Sequence, residues 1–310
     1  TAVVQSSSAT TVMVVSFVHQ NLIRCEGLAK ESMMGTVIGA VVNIILDPIL
    51  ISYFGMGAMG AAVATIIGYC SSVLFYLYIV RKRTQGLSLR ISDCSVSAAE
   101  LRQLFGIGGT AALSNLMQSA AVILVNQYLL PYGNDRIAAM GVVMKITMIA
   151  TLIIVGFSFG GVPVFGYLYG ARMKKELNKL VRFTFGFLFF LAVMITLILS
   201  VASPVVIGIF LKDSALIQVG SQMLRWQLSG TVCIGIVQLL TVLFQATGKV
   251  LPSFVLSISR QGIVFLVVIV VCASLFGYQG VIMSQPAADL ISALIAVGLL
   301  IWQNPMKEGV

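Results

Sequence analysis

The chain has 310 residues, of which 59% are hydrophobic and only 9% are charged, and its mean hydropathy is +1.03. Such a composition excludes a water-soluble globule over most of the length. The net charge of +9 does not indicate a nucleic-acid partner, because the basic residues lie in short gaps between apolar runs.

The apolar runs predict an all-α, polytopic transmembrane bundle. A helix of roughly twenty residues crosses the hydrocarbon core, whereas barrel strands are about half that length and alternate apolar with polar residues. In chain order the runs predict nine spans, with short connections between most of them: 4–22, 33–53, 59–80, 106–130, 136–158, 183–203, 221–244, 253–275 and 280–302.

One connection, 81–105, is long and polar, and it ends in the short helical stretch LRQLF at 101–105. We interpret 81–105 as a cytoplasmic linker between the remainder of an N-terminal lobe, 1–80, and a C-terminal lobe, 106–310.

Basic residues orient the spans, because cytoplasmic loops carry an excess of Lys and Arg. They follow the first, third, fifth, seventh and ninth spans, at Arg24, Arg81, Arg172, Lys249 and Lys307. The predicted location is the inner (plasma) membrane, with the lipid bilayer as surroundings and the C-terminus in the cytoplasm.

A weak internal repeat predicts a longer protein. RCEG at 24–27 and FGMGAMG at 54–60 are echoed by QATG at 245–248 and FGYQG at 276–280. Transporters are often built from such repeats. Because three spans precede the second copy only, we expect about three further spans before residue 1, which would make twelve in the full protein.

The stretch VVNIILDPILI at 41–51 places Asp47 inside a predicted span, where a carboxylate costs roughly 2.5–3.5 kcal/mol and indicates function. Asn43 lies one helical turn earlier on the same face. Pro48 has no N–H, so the carbonyl of Ile44 loses its helical partner. With Thr65 of the next span, these oxygens predict a site for a hard cation or a proton.

A second intramembrane acid, Asp289, follows a proline in the ninth predicted span. A functional role and a structural pair, for example with Gln285 or a serine of another helix, are equally supported. Uncharged polar residues within or at the edges of the spans either line a cavity or hold helices together. Together with Asp289, the cavity candidates are Asn115, Gln118, Asn126 and Gln238.

No motif of an enzyme or a nucleotide-binding loop is present in the sequence. The five cysteines are scattered without metal or redox spacing. We therefore expect neither catalysis nor a cofactor, and we expect an ion gradient to drive any transport.

The stretch NLIRCEGLAKESMMGTVIGAVVNIILDPILISYFGMGAMGAAVATIIG at 21–68 resembles the multidrug and toxic compound extrusion (MATE) transporters, as do PVFGYLYGA, FQATGK, SISRQ and QPAAD further along. The resemblance covers the whole chain and implies a twelve-helix fold of two lobes, of which this chain would contain the fourth helix onward.

The resemblance also implies a function, namely antiport of amphipathic or cationic drugs against Na+ or H+ by a protein expected to be monomeric. In the family's N-terminal lobe, the cation site would comprise Asn43, Asp47 and Thr65, together with an aspartate upstream of residue 1. A flippase for lipid-linked saccharides and an inactive fragment are the alternatives.

Overall fold

The computed structural model describes residues 2–84 and 97–303, and within these two ranges it contains helices and no strands, which confirms the all-α prediction. Two π-helical turns, Ile49–Tyr53 and Ser259–Ile263, and a 3-10 turn, Leu130–Tyr132, interrupt the α-helices. The α-helices of the described ranges are α1 (Ala2–Cys25), α2 (Ala29–Pro48), α3 (Gly57–Arg83), α4 (Ala98–Leu129), α5 (Asn134–Gly160), α6 (Val162–Gly170), α7 (Lys174–Val201), α8 (Ser203–Phe210), α9 (Ser214–Ser229), α10 (Thr231–Ala246), α11 (Val250–Ile258) and α12 (Val264–Trp302).

Six segments of the described chain are long and apolar enough to cross a membrane. They indicate a multi-pass membrane protein, while the count of nine spans stays a prediction. These segments are Ala29–Tyr53, Gly57–Arg83, Asn134–Gly170, Lys174–Val201, Ser214–Ala246 and Val264–Trp302.

The chain forms two compact units, Thr1–Ser95 and Val96–Val310. Much of the predicted linker 81–105 falls at 85–96, outside the described residues. The stretch LRQLF is not a separate helix, since α4 begins at Ala98 and continues through it. Leu101 to Phe105 therefore extend the fourth helix toward its N-terminus, because no proline interrupts the segment.

In the first unit, small residues allow α2 and α3 to pack closely. A Cβ on Gly35 would overlap the ring of Tyr76, and a Cβ on Gly39 would overlap the hydroxyl of Ser72. The Ser72 hydroxyl donates to the carbonyl of Gly35 at 2.9 Å. Small residues at helix interfaces are typical of membrane proteins, where close backbone approach replaces the hydrophobic driving force.

The second unit has two clusters of buried apolar residues. One cluster includes Leu129, Met140 and Ile269. The other includes Phe165, Leu188 and Phe244. Helices α5, α10 and α12 contribute to this packing, so they form the frame that positions polar residues in the unit.

Helix α12 reverses its direction near Gly277, where φ is +55° and ψ is −128°. A Cβ on Gly280 would overlap the carbonyl oxygen of Cys272, although eight residues of a straight helix extend about 12 Å. Tyr278 beyond the reversal packs on Tyr132, with ring centroids 5.4 Å apart. The predicted spans 253–275 and 280–302 therefore lie on either side of a tight turn.

Candidate functional site

The polar pair of the first unit joins α2 to α3. The amide Nδ2 of Asn43 donates to the hydroxyl oxygen of Thr65 at 3.4 Å. That hydroxyl in turn donates to the carbonyl of Ala61, one turn earlier on α3, at 2.8 Å. The structure thus brings together two of the three predicted cation-binding residues. The Thr65 hydroxyl accepts a hydrogen bond from Asn43 and donates one to the backbone of its own helix.

The packing register locates the third residue, Asp47. Gly35 faces Tyr76, Gly39 faces Ser72, and a Cβ on Gly68 would lie 3.2 Å from the Cβ of Asn43. These contacts advance four residues along α2 for every four residues back along α3. Extended by one step, the series would place Asp47 opposite Ala64, a fully buried small residue adjacent to Thr65.

The carboxylate of Asp47 carries a polar atom that needs a partner. Its Oδ1 is buried and accepts no hydrogen bond from any described residue. A buried polar atom without a partner loses the free energy of hydration, roughly 1–3 kcal/mol and more for a charged group. A buried carboxylate oxygen without a hydrogen-bond donor is therefore suited to bind a proton or a cation.

Pro48 ends α2 directly after Asp47, and a π-helical turn at Ile49–Tyr53 follows. Proline removes a backbone donor, and a π turn widens the helix, so carbonyl oxygens near Asp47 lie outside the regular hydrogen-bond pattern. The N–H of Phe54 donates back to the carbonyl of Ile49 at 3.0 Å, which closes the turn. The helix is therefore irregular directly after the residue that carries the carboxylate.

The donor set fits a proton or a small hard cation. One carboxylate, one amide and one hydroxyl offer oxygen ligands, which alkali and alkaline-earth cations prefer. Among the described residues, no group of three or more His, Cys, Asp or Glu side chains could hold a metal ion.

Asp289 of the second unit forms an ion pair that the sequence analysis did not anticipate. Its Oδ1 accepts from Nε of Arg260 at 3.0 Å and from the amide of Gln285 at 3.4 Å. The Gln285 contact matches the structural alternative. Arg260, the dominant partner, was missed, although a basic residue inside the eighth predicted span was itself a signal, since an intramembrane charge requires an opposite charge.

The other cavity candidates lie apart from Asp47 along the chain. Asn115 and Gln118 are exposed on α4, whereas Asn126 on the same helix and Gln238 on α10 are half-buried. The exposure of these side chains alone does not define one shared cavity. Their role in lining a cavity stays a prediction.

Comparison with protein families gives two matches that do not overlap. A family model described as MatE matches residues 110–296, which is more than half of the chain. A second model, described as Na+/Pi-cotransporter, matches residues 1–91, which is less than a third.

Curated relatives include two proteins that share one description. The Multidrug export protein MepA of Staphylococcus haemolyticus (strain JCSC1435) is 31% identical over 292 residues, covering 93% of this chain and 64% of the relative. The protein of the same description from Staphylococcus aureus (strain NCTC 8325 / PS 47) is 29% identical over 287 residues, covering 92% and 63%. The chain therefore spans less than two thirds of the length of these relatives.

Solved structures share the fold. The crystal structure of MATE in complex with MaD3S superposes with a TM-score of 0.86 at 25% identity, covering 96% of this chain and 67% of the other. The outward-facing conformation of a multidrug resistance MATE family transporter of the MOP superfamily gives a TM-score of 0.88 at 23% identity, covering 96% and 68%.

Proposed function

The chain belongs to the MatE family of multidrug and toxic compound extrusion transporters, and from this premise we propose that the protein exports amphipathic or cationic drugs across the cell's inner membrane. The observation that supports it most strongly is the family match together with multidrug export relatives that align over nearly the whole chain. Inward movement of Na+ or H+ supplies the energy.

The coupling ion binds at Asp47 in this proposal, and Asn43 and Thr65 complete its surroundings. The orphaned, buried Oδ1 of Asp47 supports that assignment. An ion shifts a conformational equilibrium only if it binds one state more tightly than the other. Because Asn43 and Thr65 lie on different helices, a small relative movement of α2 and α3 changes how many oxygens reach the ion.

An efflux assay tests the proposal. The full-length protein, expressed in bacteria that lack their own drug pumps, is expected to lower the steady-state accumulation of ethidium and norfloxacin. Collapse of the ion gradients with ionophores is expected to abolish the effect. Unchanged accumulation of both compounds, with the protein verified in the membrane, would rule out multidrug export.

The hydroxyl of Thr65 is expected to contribute to ion affinity. Thr65→Val keeps the shape of the side chain but removes the acceptor of the Asn43 amide, so the apparent affinity for the coupling ion should fall about tenfold, the effect of one hydrogen bond to a charged or polar group. Thr65→Ser, which retains the hydroxyl, is the matched control and should stay within about twofold. The measurement is drug efflux from proteoliposomes over a series of Na+ and pH values. Equal behaviour of the two variants would contradict a role for the hydroxyl.

A further inference from the structure

Helix α7 is longer than the hydrocarbon core of a bilayer. Its 28 residues extend about 42 Å, whereas the core is roughly 30 Å thick. The stretch 183–201 carries no charged residue, and it alone covers about 28 Å. The first two turns of α7, which precede this stretch, therefore lie at the level of the lipid headgroups.

Three basic residues share one face of these first turns. Lys175, Lys179 and Arg182 are spaced four and three residues apart, which places them on one side of a helix. All three are exposed, and within the part of the chain that the structure describes they form no ion pair and no side-chain hydrogen bond. Glu176, the carboxylate of the same turns, pairs with none of them among those residues. These three residues, the basic face, therefore carry charge that a ligand can neutralise.

A groove continues the basic face into the apolar part of α7. Gly186 follows Arg182 by four residues and so lies on the same face. A Cβ on Gly186 would meet no atom within 4 Å, and exposed phenylalanines flank the glycine on both sides. They are Phe183, Phe187 and Phe190 on one side and Phe185 and Phe189 on the other. We call this feature the Gly186 groove.

Aromatic contacts hold one wall of the Gly186 groove in place. The rings of Phe183 and Phe187 are stacked, with centroids 6.3 Å apart and an angle of 17° between their planes. Phe157 of α5 packs edge-on against Phe187, with ring centroids 5.0 Å apart. Such contacts restrict the rings. The wall is therefore formed before a ligand binds, which lowers the entropy cost of binding.

Charge and depth together select the occupant of this surface. A second copy of the chain, packed on the same patch about a two-fold axis, would bring two basic faces together and be repelled. A soluble acidic protein would not reach the groove, because the phenylalanines begin where the hydrocarbon begins. An anionic phospholipid carries its phosphate directly above its acyl chains, which is the order in which the basic face and the Gly186 groove follow each other along α7.

We propose that this surface binds an anionic phospholipid. The basic face holds the phosphate, through the ammonium groups of Lys175 and Lys179 and the guanidinium of Arg182, whose planar fork matches two phosphate oxygens. One acyl chain lies in the Gly186 groove between the phenylalanines. The inference goes beyond the proposed export function, since it concerns the lipid partner of the protein and not the compound that is transported.

Native mass spectrometry of the purified full-length protein in detergent tests the proposal, because it counts bound lipids one at a time. Dioleoyl phosphatidylglycerol is expected to bind at least about tenfold more tightly than dioleoyl phosphatidylcholine, since each Lys or Arg beside an anionic headgroup raises the affinity about fivefold. Equal affinity of the wild-type protein for the two lipids would overturn the proposal.

Neutralising the basic face assigns the preference to these residues. In the triple variant Lys175→Gln, Lys179→Gln and Arg182→Gln, the preference for phosphatidylglycerol over phosphatidylcholine should fall to about twofold or less. The three positions are exposed, so the variant is expected to unfold at the wild-type temperature. A preference that survives this triple substitution would overturn the proposal.

The matched control removes three exposed basic residues of the first unit, Lys30→Gln, Arg81→Gln and Lys82→Gln. They lie on two helices, and their loss leaves the ion pair of Arg83 with Glu31 intact. The control should keep the lipid preference within about twofold of the wild-type value. An equal fall in both triple variants would show a general attraction between basic residues and anionic lipid, which contradicts a site on α7.

Filling the groove tests the position of the acyl chain. Gly186→Leu has room for its side chain and should weaken binding of dioleoyl phosphatidylglycerol about fourfold or more, the equivalent of one buried methylene group. Gly298→Leu is the control, because a Cβ on Gly298 also meets no atom within 4 Å, and its lipid affinity should stay within about twofold of wild type. Unchanged affinity of Gly186→Leu would overturn the proposal.

The same spectra reveal other occupants. A dimer that Gly186→Leu converts to a monomer would make this face of α7 a contact between copies of the chain. Inorganic phosphate that displaces phosphatidylglycerol more effectively than chloride at the same ionic strength would make the basic face a site for free phosphate. Either result would overturn the proposal.

Discussion

Asp47→Asn is expected to abolish ion-driven drug efflux while leaving the protein folded in the membrane. The amide has nearly the same shape as the carboxylate but carries no charge and does not titrate, so the coupling ion can no longer bind one conformation more tightly than the other. An ion that binds both conformations with equal affinity does not shift the equilibrium between them, however tightly the ion binds. We expect at least a hundredfold lower initial rate of Na+- or H+-dependent efflux in proteoliposomes, about 2.7 kcal/mol of lost coupling.

The matched control is Asp135→Asn, because Asp135 is an exposed carboxylate in the first turn of α5. This variant changes the net charge of the chain in the same way and should transport at the wild-type rate. Drug binding measured without an ion gradient should be similar in both variants. Full gradient-driven efflux by Asp47→Asn would eliminate Asp47 as the coupling site.

Gly280→Ala is expected to be the most destabilising small substitution in the second unit. A Cβ at this position overlaps the backbone carbonyl of Cys272 and lies 3.0 Å from the amide nitrogen of Ala273. These neighbours are backbone atoms, which cannot move aside as a side chain can by changing its rotamer. The two arms of α12 must therefore separate to make room for the Cβ. We expect a loss of about 3 kcal/mol or more, the upper end for overpacked cores.

Gly298→Ala on the same helix provides the comparison, since a Cβ there meets no atom within 4 Å. In a helix interior this change should be neutral or stabilising by about 0.5–1 kcal/mol. Thermal unfolding of the purified protein in detergent, followed by loss of monodispersity, should separate the variants clearly. If both alanines melted at the same temperature, the close approach of Gly280 and Cys272 would be incorrect.

The contact between Asn43 and Thr65 could be predicted in part from the sequence, while the cation site at Asp47 stays a prediction. Asn43 and Asp47 lie four apart on one helix, and spacing alone places them on one face. Thr65 was suggested by the small residues before it, and its hydrogen bond with Asn43 places both side chains at the α2–α3 contact. Small residues at a helix interface are a sequence signal because they permit close approach of the backbones.

The pair of Arg260 and Asp289 shows where prediction from sequence stopped. The two residues are 29 positions apart, which is about 40 Å along a continuous helix. They meet because the chain reverses near Gly277, and Arg260 itself lies in the π-helical turn Ser259–Ile263. Hydropathy identified the two arms but carried no information on their rotation about their own axes.

The sequence by itself determined that this protein lies in a membrane, that it is helical and to which family it belongs. Those properties follow from composition, from the length of apolar runs and from local motifs, which every residue in a stretch helps to specify. The tertiary structure decided which polar atoms meet. It left Oδ1 of Asp47 without a hydrogen-bond partner among the described residues, and it buried the side chain of Asp289 while leaving that of Arg260 18% exposed. Which side chains of two helices contact each other depends on turns and kinks at a few glycines and prolines. A change of one residue at such a position turns every side chain beyond it to a different direction.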